Sequence, residues 1–226
     1  MPTISILIPT LNEETSLPET LARAQAIPEV SEIILGDGGS TDGTCDIARD
    51  AGARVVQSPC GRGTQLRAAA DVATGNVVLL LHADTWLPPH AGVAAIELLG
   101  RPNMIAGAFW RRFTEGAPLL MRGARLKSWL LLHSLGYVYG DQAIFLTRTT
   151  LERIGGVPDV PLMEDVILCE RLREKGRIGL ANASATTSWR KFEKLGVLNT
   201  YLLMARVLSA YRRGVPPEKL RELYYS

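Results

Sequence analysis

From Ile4 to Ile8 the chain is apolar at almost every position, and similar short β-branched runs return at Glu32–Leu35, Arg54–Gln57 and Val77–Leu81. Runs of this length, punctuated by Gly, Pro and Asn, predict buried strands. Between them, Glu13–Ala26, Thr44–Ala51 and Thr64–Ala73 carry apolar residues at helical spacing, with Asn12, Thr41 or Asp42, and Gly63 near their starts as caps or tight turns. Strand and helix in alternation is the sequence form of consecutive βαβ units. It predicts an α/β fold whose mostly parallel sheet is covered by helices on both faces. In the second half, Ile105–Phe113 and Ala143–Thr147 predict strands, Pro118–Leu135 a helix and Glu164–Lys175 an amphipathic helix, all joining one mixed sheet. Further on, Val197–Arg213 sets Leu198, Tyr201, Leu202, Ala205 and Leu208 along one helical face, and Pro216 and Pro217 open a last short helix. That face predicts a cover for the core or a homodimer contact ahead of a berth on a membrane surface.

Composition narrows the class. With 226 residues, 46% hydrophobic and 21% charged, the chain buries a real core as one domain over residues 1–226, and disorder and fibrous repeats are excluded. Twenty-five basic against 23 acidic side chains leave a net charge of +2, too weak a field for non-specific nucleic-acid binding. Cys45, Cys60 and Cys169 are widely spaced and form no Cys-x-x-Cys pair, which points to a reducing, cytoplasmic compartment. The amino terminus lacks a basic region and reads as a first strand rather than a signal peptide. The longest apolar runs, Val77–Leu81 and Trp129–Val138, fall short of the ~20 residues that cross a bilayer. The expectation is a soluble chain, at most peripheral at the inner membrane face.

Polar motifs gather after the strand ends, the edge where open α/β sheets bind ligands. The run Pro9-Thr10-Leu11-Asn12-Glu13-Glu14 offers hydroxyl, amide and carboxylate groups, and equally reads as a helix start. Gly36 to Thr44, GDGGSTDGT, holds Asp37 at a strand end, with Gly39 and its neighbours letting a ligand approach the backbone. It is not the dinucleotide fingerprint, whose third glycine is Thr41 here. In LLLHADT the apolar strand ends in His82, Ala83 and Asp84, where a carboxylate suits a hard divalent cation, Mn²⁺ or Mg²⁺, or else a turn. GRGTQLR brings Arg62 and Arg67 to a tight turn and helix start, a phosphate-binding chemistry or a solvated face. MEDVILCERLREKG opens a helix with Glu164 and Asp165, as capping also would. YGDQAIF places Gly140, Asp141 and Gln142 before a strand, and TTSWRKF puts Trp189 and Arg190 on a loop.

The order of these motifs resembles the family 2 glycosyltransferases, inverting enzymes of the GT-A fold that use a nucleotide-sugar donor. PTLNEE is similar to that family's first-strand motif, GDGGSTDGT to its DDGSTDGT, LHADT to its D-x-D metal motif and MEDVILCERLREKG to its ED helix. GRGTQLR, YGDQAIF and the short length resemble most a compact soluble bacterial subgroup. Two positions depart from the pattern: Gly38 replaces the second acid of DDGS, and His82 the first of D-x-D. The resemblance implies a donor half in residues 1–100, an acceptor half in 101–195 and C-terminal helices in 196–226. It implies that Pro9, Thr10, Asn12, Glu13, Asp37, Gly39, Arg62, Arg67, His82, Ala83, Asp84 and Arg190 bind the donor, a UDP-sugar first among the candidates, with Asp84 as the metal carboxylate. Asp165 becomes the general base, assisted by Glu164, while Gly140, Asp141, Gln142 and Trp189 line the acceptor side. The acceptor is left open, a lipid-linked one included. Two other readings remain: a non-catalytic nucleotide-sugar sensor or scaffold, and a sugar-phosphate nucleotidyltransferase, whose Gly-rich signature follows the first strand rather than the third.

Overall fold

The computed structural model describes residues 1–118, 121 and 123–225. The first half alternates as expected: β1 (Ile4–Thr10), α1 (Leu17–Gln25), β2 (Val30–Asp37), α2 (Thr44–Asp50), β3 (Arg54–Gln57), α3 (Arg62–Ala70) and β4 (Val77–Leu80). The chain continues through β5 (Thr85–Trp86), α4 (Ala91–Leu99), β6 (Met104–Phe113), α5 (Ala124–Leu135) and a 3₁₀ turn at Gly140–Gln142. After β7 (Ile144–Thr147) come α6 (Arg148–Arg153), α7 (Glu164–Arg173), β8 (Arg177–Thr187), α8 (Arg190–Leu195), α9 (Val197–Arg212) and α10 (Pro217–Tyr225).

These strands form one sheet in the order β3-β2-β1-β4-β7-β6-β8-β5. β1 to β4 run parallel, β7 is antiparallel to both β4 and β6, and β8 runs parallel to β6 and antiparallel to β5. Only Leu81 to Asp84 separate β4 from β5. That segment reaches at most about 17 Å, whereas four strand spacings in a flat sheet need about 19 Å. The sheet therefore curls, bringing the far edge at β8 back toward the ends of β1 and β4.

Alternation along β1 sends Ile4, Ile6 and Ile8 to one face, with Leu17, Leu21 and Leu98 of α1 and α4. Leu7 goes to the other, with Leu66 of α3 and Leu168 and Leu172 of α7. Phe109 and Phe145 are fully buried with ring centroids 5.0 Å apart. Thr10 stands opposite Asp37, and Asp37 opposite Gln57, so β1, β2 and β3 end flush and their following loops share one edge.

Several expectations change. The first helix begins at Leu17 rather than Glu13, because Pro18 sits in its first turn and Asn12 has a left-handed backbone, φ 55°. Asn12 is therefore no helix cap. The helix expected over Pro118–Leu135 starts at Ala124, and positions 119, 120 and 122 lie outside the described residues. β8 and α4 are additions: the run RIGLANASATT is poor in β-branched residues, yet becomes a strand because Gly179 and its alanines admit Leu98 and α4. On α9, Leu198 and Leu202 are 67% and 54% exposed, so these two leucines face away from the core they were expected to cover.

Candidate active site at the carboxyl edge of the sheet

Asp37 ends β2 almost wholly buried. Burial alone would raise its pKa, but the Ser40 hydroxyl and the backbone N–H groups of Ser40 and Gly39 donate to its oxygens and hold it below the usual carboxylate value. The Thr10 hydroxyl adds a contact of 3.3 Å. Asn12 ties the same loops together: its N–H donates to Ser40 Oγ, and its Oδ1 accepts from the Thr41 N–H. Behind them Gln65 donates from Nε2 to the carbonyls of Thr10 and Gly36. A Cβ on Gly38 would lie 3.0 Å from Gln65 Nε2 and 3.2 Å from Cys60 Cα. Gln65 and the loop before α3 thus fill the space beside the residue at which the chain departs from DDGS.

At the end of β4, Asp84 keeps 27% of its side chain exposed, and burial pushes its pKa up against the pull of Arg190. The Arg190 guanidinium bridges two loops, 2.9 Å from Glu13 and 3.5 Å from Asp84. Ser188 donates its N–H to the Asp84 carbonyl, so the end of β8 is fastened to the strand-four loop. Burial, with Arg62 nearby, lowers His82 to about 4, leaving a neutral imidazole near pH 7. Its ring packs against Gly140, where a Cβ would collide with His82 Nε2.

The helix acids lie on the other side of this opening. Glu164 is 2% exposed with Oε2 unpartnered, and Oε1 is 3.1 Å from Arg62 Nε. Desolvation raises Glu164 to about 7, with Arg62 opposing and Asp165 adding to the rise. Desolvation also raises Asp165, while its Oδ2 and Oδ1 accept from the Gly140 and Val166 N–H groups at 3.0 and 2.8 Å. The residues flanking these turns are strained, Met163 at φ 70° and Ala143 at φ 51°, conformations that non-glycine residues rarely adopt. Beside Gly140, Asp141 pairs with the buried Arg111 at 2.9 Å. Half-buried Lys127 of α5 sits 3.4 Å above the Tyr201 ring.

The structure thus gathers Thr10, Glu13, Asp37, Arg62, His82, Asp84, Gly140, Asp141, Glu164, Asp165 and Arg190 around one edge. Pro9 and Ala83 contribute backbone, Ala83 accepting from the Thr20 hydroxyl. Two of the expected site residues are engaged within the fold. Arg67 donates to the carbonyls of Gly155 and Val157 and faces Asp71, bracing the loop before α7. Gln142 is fully buried and donates to the Phe109 carbonyl, which makes it a strut, not an acceptor contact. Arg190 is the first residue of α8 rather than part of a loop, and Trp189 packs near Gly116. Sequence reading missed Ser40, Gln65, Arg111 and Lys127. Arg111 carried a signal, a charge on the inward phase of an aromatic strand. A separate cleft of about 330 Å³ lined by Arg23, Trp86, Trp110 and Arg125 contains none of the gathered residues.

Known proteins are similar to this chain in sequence and in fold. The family described as glycosyl transferase family 2 matches residues 5–147. An undecaprenyl-phosphate 4-deoxy-4-formamido-L-arabinose transferase of Aeromonas hydrophila is 36% identical over 120 residues, 48% of this chain and 37% of its own length. A glycosyltransferase of Mycobacterium tuberculosis is 35% identical over 118 residues, 47% of this chain and 52% of its own. These alignments span about a third to a half of the curated relatives. In shape, the chain is similar to a mannosyltransferase from Pyrobaculum calidifontis in complex with GDP-Man and Mn²⁺ (TM-score 0.71, 20% identity, 99% of this chain and 68% of that one). It is also similar to glucosyl-3-phosphoglycerate synthase from Mycobacterium tuberculosis in complex with Mn²⁺, UDP and glucosyl-3-phosphoglycerate (0.65, 22%, 95% and 81%). Both likenesses establish the GT-A architecture.

Proposed function

Because the chain belongs to glycosyl transferase family 2, we propose that it transfers a sugar from a nucleoside-diphosphate sugar, a UDP-sugar first among them, to an acceptor hydroxyl with inversion. The observation that carries this reading is buried Glu164 beside partly buried Asp165, across one opening from Asp37 and Asp84, with Arg62 and Arg190 between the carboxylates. Asp37, Thr10 and Glu13 take the nucleoside. Arg190, whose guanidinium already spans the donor loops, and Arg62 take the diphosphate.

The Asp165 carboxylate removes the acceptor proton. The acceptor oxygen then bonds to the anomeric carbon as the bond to the diphosphate breaks, and the diphosphate leaves with that electron pair. The two backbone N–H groups on Asp165 fix its orientation and favour its charged form, which suits a base. Glu164 Oε2, buried without a donor, receives a sugar hydroxyl.

Among the described residues no group of three His, Cys, Asp or Glu side chains gathers as a ready metal cage. Asp84 with neutral His82 beside it fits instead a Mn²⁺ or Mg²⁺ ion that completes its shell with diphosphate and water oxygens. When bound, such an ion neutralises the departing diphosphate.

A lipid-linked acceptor is the form we favour. The matched arabinose transferases are named for undecaprenyl phosphate, and Leu126, Trp129 and Leu130 of α5 together with Leu198 and Leu202 of α9 are all exposed. Among the described residues no helix is long and apolar enough to cross a membrane.

Calorimetric titration with UDP and GDP, each with Mn²⁺, Mg²⁺ or EDTA, tests the donor site. Metal-dependent nucleotide binding that disappears in Asp84→Ala is expected. Absence of any nucleotide binding would sink the transferase reading. Nucleotide binding without release of UDP or GDP from any nucleotide-sugar would favour a sensor.

A further inference from the structure

Arg111 is 4% exposed, yet its Nε and Nη2 are buried with no hydrogen-bond partner among the described residues, and only Nη1 reaches Asp141. A buried guanidinium donor left unpaired is costly, because nothing replaces the water it gave up. Two such donors on one side chain therefore point to a missing acceptor. Lys127 adds a second cation to the same place. It makes no ion pair among the described residues, rests on the Tyr201 ring, and burial with the neighbouring Arg111 pulls it down to about 8. Asp141 faces both cations, and its Oδ1 is itself unpartnered. Tyr139 and Tyr201 are the other titratable groups felt by Arg111. Among the described residues, two cations against one carboxylate leave this cluster one positive charge in excess, with unpaired N–H donors and one unpaired carboxylate oxygen.

The pocket borders the reacting groups. Asp141 follows Gly140, whose N–H holds Asp165, and its charge reaches His82, Asp84 and Asp165.

We propose that Arg111 and Lys127 form a subsite for an anionic group on the acceptor, a phosphate monoester or phosphodiester, while Asp141 takes a hydroxyl beside it. This rests on the transferase reading above. Arg111 binds through its Nε and Nη2 edge, the geometry that suits a phosphate, and Lys127 contributes a movable point charge. Both are binding residues and take no part in proton transfer. The phosphate has two sources, a lipid carrier or a soluble phosphate ester.

The test titrates the full chain with methyl phosphate and with decyl phosphate below its micelle concentration, alongside UDP and GDP with Mn²⁺. Lys127 is half-buried and can be exchanged without stranding a buried partner, so Lys127→Gln is the main variant and Arg111→Lys the second. Expected are a loss of methyl phosphate affinity of at least tenfold in Lys127→Gln, a smaller loss in Arg111→Lys, nucleotide affinity within about twofold, and retained phosphate binding in Arg190→Gln. Tighter binding of decyl phosphate assigns the lipid source, and equal binding the soluble one; either supports the subsite. The proposal is overturned if wild-type protein binds neither phosphate, if Lys127→Gln binds as wild type, or if binding vanishes in Arg190→Gln instead. Nucleotide binding that persists through such a failure leaves the transferase reading intact, whereas its absence in wild type defeats that reading by itself.

Discussion

Each carboxylate at this edge is set to a different state by its neighbours. Asp37 is surrounded by donors and stays charged. Glu164, desolvated and beside Asp165, rises to about 7 in spite of Arg62. A carboxyl raised from 4.5 in this way stabilises the fold fully below 4.5, and that contribution is lost as pH climbs through 7. Wild-type stability should therefore decline from about pH 4.5 to 7, and Glu164→Gln should remove the share that Glu164 contributes, leaving that of Asp84 and Asp165. The variant's melting temperature, measured against wild type across this range, should gain by about 5 °C toward the alkaline end. For the proposed base, Asp165→Asn should lower turnover by about 10² to 10⁴-fold with donor affinity kept. Single-turnover sugar transfer reads this directly, and wild-type rates in the variant would reassign the base to Glu164.

Short connections do most of the positioning. The two loops after β1 and β2 are locked to each other by Asn12, Ser40 and Thr41, so this edge is held together by the chain's own hydrogen bonds. The turn at Gly140 serves three neighbours, holding Asp165 by its N–H, lying under the His82 ring and aiming Asp141 at Arg111. Gly140→Ala must displace His82 or the turn itself. We expect turnover to fall by at least tenfold while the melting temperature drops only a few degrees, checked by kinetics and thermal unfolding of one preparation. Helix α8 adds a contact of a different kind, because Arg190 joins Glu13 from 177 positions further along the sequence. Removal of that guanidinium in Arg190→Gln should weaken nucleotide binding by about tenfold in titration, charge-assisted bonds being worth about 1.5–3 kcal/mol.

At the scale of the whole molecule, one curled sheet brings Asp37 from the first half and Asp165 and Arg190 from the second to the same opening. The family match ends at residue 147, before Glu164, Asp165 and Arg190. The junction between the halves is β4 against β7, where Phe145 meets Phe109 in the core. Phe145→Ala should cost about 3–5 kcal/mol in denaturant unfolding, since the cavity lies under both halves and cannot collapse.

The alternation of apolar runs and helical spacing determined the βαβ half of this protein. Local periodicity reports directly on which residues are buried, and the motifs PTLNEE, GDGGSTDGT, LHADT and MEDV already marked the edge where the candidate site residues gather. Glu164 and Asp165 were legible because a helix start beside a Gly and Pro loop is a local feature. β8 was not, since its alanines and serines carry little strand preference and become a strand only against β6 and α4. Asn12 as a loop tie, Arg67 as a brace and Gln142 as a strut were decided by partners far away in sequence. The Arg111–Lys127 pocket belongs to the same group. A side chain's type is written in the sequence, but whether its donors find partners depends on the packing of elements that the chain brings together only when the sheet closes on itself.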